Sequence, residues 1–184
     1  MNYLLPSLRL WLATMLVCVL GYVALLLGFA QAFAPYQANG SIIEMGGRAV
    51  GSELVSQEFT SPRYFWSRPS AADYDAMAAA GSNLSPTSDD LKARAAETVA
   101  RYGATPDSPV PADLVAASGG GLDPHISLAG ALYQVERVAG ARGLDEGRVR
   151  RLAYEAAVMP GAIFTPEPIV NVLQLNLALD RVEE

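Results

Sequence analysis

Leu10-Trp11-Leu12-Ala13-Thr14-Met15-Leu16-Val17-Cys18-Val19-Leu20-Gly21-Tyr22-Val23-Ala24-Leu25-Leu26-Leu27-Gly28-Phe29-Ala30 carries no charge, and the architecture of the chain turns on it. A helix rises about 1.5 Å per residue, so roughly 20 residues cross a hydrocarbon core of about 30 Å. Inside lipid such a run must satisfy its own backbone N–H and C=O groups, which a helix does. Arg9 precedes the run and the next positive charge is Arg48. That asymmetry places the N-terminus in the cytoplasm and the rest of the chain beyond the membrane. Ala30-Gln31-Ala32 resembles a signal-peptidase site, so a cleaved leader is the competing reading. Leader h-regions run about 7–15 residues and this run is longer, so a retained anchor is expected. The expected division is a cytoplasmic N-terminus at 1–9, a transmembrane helix at 10–33, and one extracytoplasmic domain at 34–184.

Outside residues 1–43 the balance is acidic. Of the chain's 13 Lys+Arg and 19 Asp+Glu only Arg9 lies in that segment, which leaves a net −7 for the remainder. Such a domain is a poor partner for nucleic acid or for anionic lipid, both of which need clustered cations. The single cysteine, Cys18, forbids an internal disulfide and reads as a small hydrophobe.

Phe33 to Ser41 reads as the exit from the membrane, with Pro35 and Gly40 as breakers. Two short strands are expected within Ile42–Val55. Pro62 and Pro69 flank Tyr64-Phe65-Trp66 and exclude a regular element there. Residues 71–87 read as irregular. A helix is expected from Ser88, with Asp89 and Asp90 in its first turn, a stripe of Leu91, Ala95, Val99 and Tyr102, and a stop at Gly103. Asp113–Ala117 reads as one helical turn. Ser127–Arg142 reads as a continuous helix buried along Leu128, Leu132, Val135 and Ala139. Asp145 caps the next helix, buried along Val149, Leu152, Ala153 and Ala156 and stopped by Pro160-Gly161. Val170, Val172, Leu175, Leu177 and Leu179 suggest a closing strand that turns helical at its end. The fold class is α+β, with no βαβ rhythm.

Candidate chemistry is sparse. His125 is the only histidine, with Ser118, Asp123 and Ser127 nearby. A membrane-anchored hydrolase using His125 is the alternative function, although the strained G-x-S-x-G turn of such enzymes is absent. Asp123-Pro124-His125 otherwise reads as the cap of the following helix. No metal-ligand spacing is present and no metal is expected. Gly119-Gly120-Gly121 lacks the Lys-Ser/Thr ending of a phosphate loop and reads as a flexible turn. At 100° per residue Gln134 falls away from the Leu128–Leu132–Val135 stripe, so it is expected to face solvent or a partner. Arg148, Arg150 and Arg151 read as a solvated face.

Several strings occur together in order: Gln37-Ala38-Asn39-Gly40-Ser41, Tyr64-Phe65-Trp66-Ser67-Arg68-Pro69-Ser70-Ala71, Gly81-Ser82-Asn83-Leu84, Leu122-Asp123-Pro124-His125-Ile126-Ser127 and Val170-Asn171-Val172-Leu173-Gln174-Leu175-Asn176-Leu177. In this the chain resembles the KdpC family, the C subunits of bacterial Kdp-type potassium-transporting ATPases. The resemblance runs from the membrane segment to the C-terminus, with Ser56 standing where the family usually has Gly. It implies a non-catalytic, single-pass subunit in the bacterial (inner) membrane. The implied partners are a channel-like A subunit that selects potassium, a P-type B subunit that hydrolyses ATP, a very small F subunit and the lipid bilayer. The family role is assembly, together with a catalytic-chaperone effect that raises the B subunit's affinity for ATP. An extracytoplasmic domain cannot reach cytoplasmic ATP, so the resemblance and the topology together imply indirect coupling. If contact is direct, Gln134 and Gln57 are the candidate nucleotide-binding residues, because an amide can bond a base or a phosphate-bound water without adding charge.

Overall fold

The computed structural model describes residues 3–161 and 167–183. Two compact units divide the chain, 1–43 and 44–184.

In the first unit the apolar run is helical from Leu4 to Phe33, long and apolar enough to cross a membrane. It begins six residues earlier than the charge pattern suggests. Helix α1 (Leu4–Met15) passes through a π-helical turn, Leu16–Gly21, into α2 (Tyr22–Phe33). Ala34 then leaves helical geometry at φ −145°, and Pro35 starts the short α3 (Pro35–Ala38). Proline suits that first position, where its missing N–H has no partner to lose. Gln31 Nε2 donates to Asn39 Oδ1 at 3.1 Å, and Asn39 Nδ2 donates to the Pro35 carbonyl at 2.7 Å. These bonds tie the end of α2 to the turn that follows it.

From Ile42 onward the chain is α+β. Strands β1 (Ile42–Met45) and β2 (Arg48–Ser52) form a two-stranded sheet. Their connection needs positive φ at both central residues, and Gly46 and Gly47 supply it at +57° and +77°. Residues 53–88 contain no helix or strand. Helix α4 (Asp89–Tyr102) ends on Gly103 at φ +63°. Ser88 occupies its N-cap position without a side-chain cap bond, and no residue of α4 is fully buried. Its expected stripe is therefore a half-buried face, and Val99 at its edge is exposed.

Helix α5 (Ala112–Val115) contributes the buried Leu114. The expected long helix over 127–142 is three elements: strand β3 (His125–Ser127), helix α6 (Leu128–Tyr133) and helix α7 (Val135–Arg142). Ser127 is the N-cap of α6, its Oγ accepting from Gly130 N at 2.8 Å, so the cap lies two residues past His125. Helix α8 (Glu146–Glu155) is capped by the Asp145 side chain as expected, with Val149 and Ala153 buried. It stops at Glu155, and strand β4 (Ala157–Val158) intervenes before Pro160.

Strand β5 (Ile169–Asn171) is central in an antiparallel β3-β5-β4 sheet, pairing Val170 with both Ile126 and Ala157. The expected closing strand is only these three residues, and the chain turns helical at once as α9 (Val172–Glu183). Its two-residue alternation misleads because α9 is enclosed on several sides. Val172, Leu173, Leu175, Asn176, Leu177 and Leu179 are all buried, and a helix apolar most of the way round has no narrow stripe to detect. Phe65, Leu114, Ile126, Val135, Val149 and Leu175 belong to one core with this helix and the sheet.

Candidate functional site

Residues 63–68 cross the second unit as irregular backbone with Phe65 fully buried and Trp66 nearly so. Buried peptide groups require partners, and with no strand alongside they find side chains. Phe65 N–H donates to Asn176 Oδ1 at 2.8 Å, and Asn176 Nδ2 donates back to the Phe65 carbonyl at 3.0 Å. One residue on, Trp66 N–H donates to Gln134 Oε1 at 2.8 Å and Gln134 Nε2 donates to the Trp66 carbonyl at 3.2 Å. A primary amide carries one acceptor and two donors, so each side chain stands in for the peptide group of a neighbouring strand.

Arginines complete the clamp. One Arg137 nitrogen, Nη1, donates to the Pro62 carbonyl at 2.7 Å and to the Tyr64 carbonyl at 3.0 Å, and Nη2 donates to Gln134 Oε1 at 2.6 Å. Arg142 Nε donates to the Arg63 carbonyl at 2.6 Å, and its Nη2 reaches Asp180 Oδ1 at 2.8 Å. The guanidinium groups of Arg137 and Arg101 lie 3.7 and 4.0 Å from the Trp66 ring centroid, within cation–π range. Burial holds Arg137 down at about 10 and pushes the Tyr102 hydroxyl up to about 12. At neutral pH the first is therefore charged and the second neutral.

Gln134 is thus not at a solvent- or partner-facing position. It is 1% exposed, and its amide is engaged by Trp66, Arg137 and the Gly130 carbonyl at 3.3 Å. The physical reason is the phase of the buried face: Gly130, Ala131, Gln134, Val135 and Val138 share one helical side and are buried, whereas Leu128 and Leu132, which suggest the stripe, are only partly so. Gln57 is partly buried, and its Nε2 donates to the Val50 carbonyl at 3.1 Å. Among the described residues no hydrogen bond joins the two glutamines. Asn176, Arg137 and Arg142 were not singled out from the sequence. A signal existed for the first: an Asn inside Leu175-Asn176-Leu177 is a polar group in an apolar run, and such groups are nearly always hydrogen-bonded.

His125 lies in a separate relay. Arg68 Nη1 reaches Asp123 Oδ2 at 3.3 Å, while Asp123 Oδ1 meets His125 Nδ1 at 3.1 Å and accepts from His125 N–H at 3.0 Å. Among the described residues no serine hydroxyl bonds the imidazole: Ser127 caps α6 and Ser118 is buried. The relay orders the loop that leads into β3. The hydrogen bond from the His125 side chain, followed by its backbone N–H, holds the Asp123 carboxyl below its ordinary value of 3.8 despite partial burial. A depressed carboxyl stabilises the fold above its unfolded pKa and loses that contribution as pH falls through the folded value. Acid unfolding followed by circular dichroism is therefore expected to be shallower below about pH 4 in Asp123→Asn than in the parent.

The glycine loop is a packing surface. A Cβ on Gly121 would come within 2.9 Å of the Ala80 carbonyl oxygen and of Ala72 Cβ, while Ala80 N–H bonds the Gly120 carbonyl and Ser70 Oγ the Gly121 carbonyl. A cleft of about 350 Å³ nearby is lined by Glu58, Asp73, Tyr74, Glu97 and Arg101 among others. Among the described residues no group of three or more His, Cys, Asp or Glu is placed to hold a metal ion.

The family model of KdpC, the c chain of K+-transporting ATPase, matches residues 4–181. The chain belongs to the KdpC family. A potassium-transporting ATPase KdpC subunit of Parvibaculum lavamentivorans is 57% identical, over all of this chain and 98% of its own length. Those of Serratia proteamaculans and Sorangium cellulosum are 46% and 50% identical, covering 100% and 97% of this chain and the same shares of their own lengths. In this KdpC family member the helix Leu4–Phe33 falls within the matched region, so the apolar run belongs to the family's pattern along with the domain that follows it.

Proposed function

We propose that this chain is the accessory, non-catalytic C subunit of an ATP-driven potassium uptake complex. It is anchored by Leu4–Phe33 with its N-terminus in the cytoplasm and its domain outside. Its partners are the channel-like A, the ATP-hydrolysing B and the small F subunits, with which it is needed for assembly. Its influence on the B subunit's ATP affinity travels through helix and subunit contacts rather than through nucleotide bound to this domain. One observation carries that last step. The Gln134 amide is buried and bonded at both its oxygen and its nitrogen within its own domain, so binding nucleotide there would first require breaking the clamp. Indirect coupling is a matter of differential subunit contacts between states. Orientation is supported by Arg9 before the apolar run and by the lack of positive charge from there to Arg48.

Two measurements test this reading. Alkaline phosphatase, active only outside the cytoplasm, fused after Glu184 is expected to be active. An inactive fusion, with a cytosolic reporter active at the same position, reverses the orientation. A photoreactive ATP analogue added to the assembled complex is expected to label the B subunit and not this chain. Labelling of Gln57 or Gln134 peptides makes contact direct.

A further inference from the structure

The stretch from α8 through β4 to Met159 exposes an unusual set of side chains. Among the described residues of 44–183 six large apolar side chains are exposed, and three of them, Tyr154, Val158 and Met159, fall within six consecutive residues at 54%, 52% and 53% exposure. Just before them, Arg148, Arg150 and Arg151 are exposed. Among the described residues they make no ion pair or side-chain hydrogen bond, whereas Arg68, Arg137 and Arg142 all donate inward. Arg150, Arg151 and Tyr154 border an open depression over Gly147, with Glu155 at its rim. The helix explains the grouping: Val149 and Ala153 face the core, so residues 147, 150, 151 and 154 take the opposite side at 100° per residue.

Arginine, tyrosine and methionine are the side chains over-represented at the centres of protein interfaces, and an apolar centre with a charged rim is the usual anatomy. Unpaired guanidinium groups call for carboxylates opposite them. We infer that this face, from Gly147 to Met159, docks a partner subunit of the transport complex through an apolar contact at Tyr154, Val158 and Met159 ringed by carboxylates that pair with Arg150 and Arg151. The inference rests on the subunit reading above and adds to it the surface and the chemistry of the contact. The domain's net charge is −7, so three exposed arginines in four residues are a local departure from it that helps orient an acidic partner.

The test uses the full chain in the assembled complex. A photo-crosslinking amino acid replaces Tyr154 in one variant and the exposed Lys92 in another. The expected result is a crosslink from position 154 to a partner subunit and none from position 92. The pair R150E/R151E is expected to keep the wild-type unfolding midpoint while lowering partner recovery at moderate salt by about tenfold. The proposal is overturned if position 154 labels only lipid or nothing in an intact complex, if both positions label equally, or if R150E/R151E recovers its partners unchanged. Failure of the wild-type chain itself to recover any partner would instead bring down the subunit reading, and this surface with it.

Discussion

Gln134→Leu is expected to cost the domain about 3–5 kcal/mol, read as a lowered midpoint in denaturant unfolding of the full chain in detergent. Leucine nearly matches glutamine in volume, so the loss comes from polar groups left unpaired. The change strands the Trp66 N–H and carbonyl and removes the acceptor for Arg137 Nη2. Each buried orphan costs roughly 1–3 kcal/mol, more beside a charge. Against a total stability of about 5–15 kcal/mol, that removes a large share. Gln134→Glu keeps an acceptor for Trp66 N–H and Arg137 while losing the donor to the Trp66 carbonyl, so it is expected to fall between parent and Leu. The same pair separates structure from nucleotide contact. A residue that touches ATP would raise the complex's KM for ATP in a Glu variant whose stability is near normal. A clamp residue alters assembly and stability together.

Phe65→Ala is expected to cost about 3–5 kcal/mol as well, by a different route. The ring is fully buried in the main core, and its removal leaves a cavity that the rigid clamp cannot close. Asn176 holds the residue-65 backbone on both sides at 2.8 and 3.0 Å, so the loop cannot slide inward. Phe65→Leu should cost less, about 1.5 kcal/mol. Equal losses for Ala and Leu would mean that the clamp, rather than the ring, sets the energy. The two variants also interact: with the loop already released by Gln134→Leu, Phe65→Ala is expected to cost less than it does alone, a non-additivity measurable in a double-mutant cycle.

The elements read correctly share a local cause. The apolar run from Leu10, the two short strands within Ile42–Val55, the Asp89-Asp90 start and Gly103 stop of α4 and the Asp145 cap are each dictated by residues a few positions apart. The errors also share a cause. A buried stripe drawn through Leu128 and Leu132 puts Gln134 on the surface, yet the group that Gln134 bonds inside the domain is Trp66, 68 residues away in sequence. The alternation at 170–179 suggests a strand that turns helical only at its end, whereas the helix starts at Val172, because nothing local reveals that α9 is enclosed on several sides.

From composition and short-range pattern alone came the long apolar helix, its charge asymmetry, the acidic α+β domain and the family likeness, because backbone propensity, capping and hydropathy act within a turn or two of chain. Tertiary structure alone decided what the glutamine, the asparagine and the buried arginines do. An irregular segment placed in the core must have its peptide groups satisfied by whatever the fold brings beside it, and that pairing joins residues about a hundred positions apart that no local pattern connects.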